Sequence, residues 1–137
     1  MLKYVAAYVG AGLAFAAVDF VWLTTMTDRL YKPVLGPIMA PKPDMVAAVL
    51  FYLIMIGGIV FFAIAPALKE GAWTRAALNG AVLGFVAYAT YDLTNQATLA
   101  VWQAKLTIID LCWGTVLTMV AATAGYFAAR LVEGRVG

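Results

Sequence analysis

The chain has 137 residues, 65% of them hydrophobic and 12% charged, against roughly 45–50% apolar and 25% charged in a soluble domain, so it is not built for water. Nine Lys and Arg against seven Asp and Glu leave a net charge of +2, too little basic surface for a run of phosphates, which excludes nucleic-acid binding. Histidine is absent and Cys112 is the single cysteine, which removes His-dependent triads, His-ligated haem, an internal disulfide and a CxxC pair.

Taken in chain order, residues 4–26 form a first apolar stretch of the roughly 20 residues needed to cross a bilayer core as a helix. Lys3 and Ala14-Phe15-Ala16 imitate a secretory leader with a small-residue cleavage site. The apolar run continues through Trp22 and Leu23, so a retained first helix is expected. The connection that follows holds Asp28, Arg29, Lys32, Pro33, Pro37, Pro41, Lys42, Pro43 and Asp44, charged and helix-breaking residues that belong at a water boundary. Residues 45–67 form the second span, Lys69, Glu70 and Arg75 the second connection, and residues 76–99 the third span. Lys105 marks a short third connection before a fourth span at residues 107–129. The expected fold is an all-α, single-domain integral membrane bundle of four transmembrane helices covering residues 1–137. Its first and third spans carry the alignable runs Phe15-Ala16-Ala17-Val18-Asp19-Phe20 and Tyr88-Ala89-Thr90-Tyr91-Asp92-Leu93, which allow a parallel two-helix repeat.

An even number of spans places both termini on one side. Five basic residues on that side against four on the other, with Lys69, Arg75, Arg130 and Arg135 close to span ends, set the expectation of cytoplasmic termini.

Three carboxylates fall within spans: Asp19, Asp92 and Asp110. An acid at the bilayer centre costs on the order of 2.5–3.5 kcal/mol, so such residues face a bundle interior and function is the default hypothesis. Asp19 and Asp92 lie about seven residues from the ends of their spans, roughly 10 Å at 1.5 Å per residue, and Asp110 lies near the start of the fourth. All three thus occupy the half nearest the first and third connections, where one shared polar site is expected. Tyr88, Asp92, Asn95 and Gln96 share a helix face. Trp22 follows Asp19, and Trp113 follows Asp110, by three residues, so each indole N–H can reach a carboxylate on a neighbouring helix.

Blander roles compete. Thr107-Ile-Ile-Asp110 reads as a capping box, Asp92 and Asn95 as polar glue between helices, and Trp22 and Trp113 as interfacial belt residues, as Trp73 and Trp102 are expected to be. No basic residue sits deep in a span, so the acids are held protonated, or pair with Arg29, Lys32 or Lys105 reaching inward, or bind a cation. Gly80-x-x-x-Gly84 is formally a close-packing motif, though a weak match in so Gly-rich a chain. Cys112 in its apolar setting reads as an inert small residue.

Asp19-Phe-Val-Trp22-Leu23, Pro41-Lys42-Pro43-Asp44, Tyr88-Ala-Thr-Tyr-Asp92-Leu-Thr-Asn95 and Asp110-Leu-Cys-Trp113-Gly114 resemble the recurring blocks of a bacterial membrane family catalogued as domain of unknown function 2177. The resemblance implies a four-helix bacterial inner-membrane protein and carries no activity with it. Three functional readings remain open. The first is binding or transport of a small molecule, ion or lipid at a site of Asp19, Trp22, Tyr88, Asp92, Asn95, Asp110 and Trp113, with membrane lipids and a homo-oligomer or larger complex as partners. The second is a non-catalytic accessory subunit of a larger membrane complex. The third is an enzyme of lipid or isoprenoid metabolism using a carboxyl as general acid, disfavoured by the missing His. No cofactor and no metal-ligand set is identifiable.

Overall fold

In the computed structural model, which describes residues 1–136 and side chains as far as Gly134, every regular element is helical among the described residues. Helix α1 (Leu2–Met26) does not stop at the predicted boundary. A π-helical turn over Thr27–Tyr31, the short helix α2 (Lys32–Leu35) and a 3-10 turn at Gly36–Ile38 continue it. Pro33 and Pro37 each stand second in their piece, at junctions where the hydrogen-bonding register changes. After the proline-rich link, Asp44 caps α3 (Met45–Ile59) by accepting from Ala47 N–H at 3.1 Å. A second π-helical turn, Val60–Ile64, leads into α4 (Ala65–Glu70), which ends at Gly71 with φ 70°, the left-handed position that glycine fills without strain. Two long helices complete the chain, α5 (Trp73–Thr98) and α6 (Ala104–Val136).

Three helical stretches, Leu2–Ile38, Met45–Glu70 and Ala104–Gly134, are long and apolar enough to cross a membrane. Although α5 has 26 residues and the necessary length, Arg75, Asn79, Asp92, Asn95, Gln96 and its threonines make it more polar. The packing nevertheless shows that it traverses the bundle. Lys3 Nζ near the start of α1 lies 3.2 Å from Glu133 Oε1 near the end of α6, so both ends of the chain share one end of the bundle. Along α5, Gly80 lies against Ala122 and Gly84 against Gly114, an antiparallel match over the length of α6. The threonines hide their own polarity: Thr90 donates to Val86 O at 2.7 Å, Thr94 to Thr90 O, and Thr98 to Thr94 O at 2.9 Å, which satisfies each hydroxyl within its helix.

Helix α6 is the spine, packed along α1 on one side and α5 on the other, while α3 touches α1 more lightly. The two halves of the chain are therefore not packed as equivalent hairpins, and the short sequence repeat has no matching repeat in the packing. Between the helices, Ala7, Ala11, Ile64, Ala67 and Ala129 are fully buried in the half of the bundle that holds the termini, and Phe15, Ile59, Leu117 and Ala121 near its middle. Large apolar side chains such as Phe20, Ile54, Phe61, Phe62, Val82 and Phe85 point outward, the pattern of a bundle whose outer surface meets lipid.

Candidate functional site

The half of the bundle away from the termini is not filled. A cleft of about 340 Å³ opens there between α1, α3, α5 and α6, with Tyr31 of the π-helical turn closing one side. Asp19, Asp110, Tyr88, Tyr91 and Trp113 line it together with Tyr31, and Leu23, Phe51 and Ala87 complete an apolar wall.

Every one of its polar groups is positioned by the local sequence. Asp19 is buried at 8% exposure and takes two donors from neighbouring helices, the Tyr52 hydroxyl from α3 at 2.5 Å and the Trp113 indole N–H from α6 at 3.3 Å. Asp110 is also buried and accepts from the Tyr31 hydroxyl at 2.5 Å, whose oxygen in turn accepts from the Trp22 N–H at 2.9 Å. The indoles of Trp22 and Trp113 stack at 4.3 Å and 7°, locking the two arms of the network together. Asp92 stands behind the wall, fully buried. No donor among the described residues reaches either of its oxygens.

Tyr88 owes its place to a glycine. Its ring occupies the space that a Cβ on Gly114 would need, so α6 presents bare backbone there, and Tyr88 lines the cleft together with Asp19 and Asp110. The Gly84 seam beside it is as tight, with a Cβ there 2.6 Å from Thr118 Oγ1 and closer still to the Gly114 carbonyl. The weak motif at Gly80 and Gly84 is thus a real close approach. Thr118 Oγ1 in this seam is the other buried polar side-chain atom without a partner among the described residues.

The acids at the water boundary behave differently. Asp28 pairs with Lys32 at 2.9 Å, Glu70 with Arg75 at 3.0 Å, Glu133 with Lys3 and Arg130, and Asp44 caps its helix. Asp19, Asp92 and Asp110 have no basic partner among the described residues, so of the three alternatives the inward reach of Arg29, Lys32 or Lys105 does not occur. No group of three or more ligating side chains that could hold a metal ion is present among the described residues.

Over residues 4–127 the chain matches the model of a family described as a predicted membrane protein (DUF2177). The chain belongs to this family. No curated protein and no solved structure matches it significantly.

Of the seven residues singled out in this DUF2177 member, Asp19, Tyr88, Asp110 and Trp113 line the cleft, Trp22 and Asp92 stand directly behind it, and Asn95 lies outside it. Asn95 is half-buried and the adjacent Gln96 is exposed. The capping box is not formed. Helix α6 begins at Ala104, a turn earlier than expected, the Thr107 hydroxyl accepts from Trp102 Nε1 at 2.9 Å, and Asp110 sits in the second turn. Trp102 is not a belt residue either, being buried with Leu30, Val34 and Leu106. Trp73 is half-exposed. Sequence reasoning missed Tyr31, Tyr52 and Tyr91. The first lies among charges and prolines that read as a loop, and the second offered the one available signal, a phenol in an otherwise apolar span that needs a partner when buried.

Proposed function

We propose that this protein binds a small molecule in the cleft, within the half of a bacterial inner membrane opposite its cytoplasmic termini. The observation that carries this reading is the cleft itself: in a membrane bundle, two buried carboxylates without basic partners border an open volume of about 340 Å³, in the size range of small-molecule sites. Polar glue between helices would be sealed among them, whereas both acids border the recess together with Tyr31, Tyr88 and Trp113. Binding is the step that the geometry supports; carrying the ligand across would require a second conformation that opens the half holding the termini.

The test is extraction in mild detergent followed by native mass spectrometry. The wild type is expected to retain a small molecule that the Asp19→Asn, Asp110→Asn double variant loses while keeping its helical circular dichroism. Equal ligand content in both proteins, or none in either, contradicts the proposal. Stable recovery of a larger complex would instead favour the accessory-subunit reading, and a lipid product altered in a deletion strain the enzyme reading.

A further inference from the structure

We infer that the ligand of the cleft is an organic cation, an ammonium group carried on an apolar body; this rests on the reading of the cleft as a ligand site. Four observations converge on that chemistry. Asp19 and Asp110 border the cleft with no Lys or Arg within pairing distance among the described residues, so an anionic ligand would be repelled and a neutral one would leave the acids without a counter-charge in a low-dielectric surrounding. The donors that these carboxylates receive are phenol and indole groups already in place; what remains unmatched is charge. Aromatic side chains border the same volume: Tyr31, Tyr88 and Trp113 line it beside the carboxylates, and rings combined with acids form the recognised cage for ammonium groups. No three His, Cys, Asp or Glu side chains converge there among the described residues to hold a metal ion, while Phe51 and its apolar neighbours offer an oily wall to the body of an organic molecule.

Isothermal titration in uncharged maltoside detergent tests the assignment with three probes: benzyltrimethylammonium, choline, and 3,3-dimethylbutan-1-ol, the uncharged analogue of choline in which carbon replaces nitrogen. Benzyltrimethylammonium is expected to bind tightest, and choline roughly tenfold or more tighter than its uncharged analogue, the discrimination of a desolvated cation–π and charge contact. Asp19→Asn should weaken the cationic probes about tenfold and Tyr88→Leu several-fold. Glu70→Gln, at the opposite end and paired with Arg75, should leave binding unchanged. Added phosphatidylethanolamine separates two sources of the same chemistry: competition with the probe assigns the ammonium to a lipid headgroup, and its absence assigns a free amine, each result upholding the cation. Equal binding of choline and its uncharged analogue, or unchanged cation binding in Asp19→Asn, overturns the inference while the cleft remains a ligand site. Failure of all three probes together with an empty native extract removes the underlying reading as well.

Discussion

Tyr31 shows at the scale of one residue how this bundle handles charge. Its hydroxyl donates to Asp110 and accepts from Trp22, so one phenol satisfies a buried carboxylate and an indole at once. Tyr31→Phe removes both bonds while keeping the ring. The expected loss is about 1.5–3 kcal/mol of stability, the range for a buried hydrogen bond to a charged group, read as a lower unfolding midpoint in detergent; an unchanged midpoint would show that Asp110 does not depend on it. Asn79 works in the same way on the backbone. Pro66 has no N–H for the Phe62 carbonyl four residues earlier, and Asn79 Nδ2 donates to that carbonyl from α5 at 3.3 Å. Asn79→Leu should therefore cost about 1 kcal/mol, whereas the same substitution at an outward position such as Val82 should be neutral. The acids were legible in the sequence because their cost in lipid is general. Their partners were not, because a tyrosine in an apolar run looks the same whether it faces lipid or a carboxylate.

At the scale of elements, a π-helical turn and a glycine seam place the site. Tyr31 follows Asp19 by twelve residues, which at about 100° per residue would put it about 120° around the helix. The extra residue accommodated by the π-helical turn takes back about 100°, bringing the phenol near the face of Asp19 and over Asp110. Hydrophobic periodicity predicted the helices but could not foresee this turn, whose residues Thr27–Tyr31 read as a loop. The seam between α5 and α6 is the second element-scale device. Gly114 gives up its side-chain volume to the Tyr88 ring, so Gly114→Ala must push that ring into the cleft or the helices apart. We expect a loss of about 1–3 kcal/mol, as for other overpacked cores, together with loss of whatever ligand the wild type retains. Retained ligand at full stability would show that Tyr88 is not seated there.

For the whole molecule, the placement of the ends decides how many times the chain crosses. Apolarity alone identifies three crossing helices, and three would leave the termini on opposite faces. The Lys3 to Glu133 contact and the antiparallel run of α5 against α6 put them on the same face. Reporter domains fused at the two ends should accordingly report the same compartment, and a fusion in the Met39–Pro43 link the other; opposite signals from the ends would contradict the fold. The count of four helices and the clustering of acids in one half followed from spacing and charge. That α6 is the spine, and that the acids border a recess shared by four helices, depends on which side chains interlock, which spacing does not encode.

The central claim, an accessible cleft that selects positive charge, is open to one direct measurement. Ala87 lines the cleft and is half-buried, so Ala87→Cys in a Cys112→Ser background places a lone thiol inside it. Its reaction rates with the trimethylammonium and sulfonate forms of a methanethiosulfonate reagent are compared, each normalised to a free thiol in solution. The account predicts a normalised preference for the cationic reagent of roughly tenfold, the effect of about 1.4 kcal/mol of charge selection. A ratio equal to that of the free thiol, or a thiol that reacts with neither reagent, would contradict it.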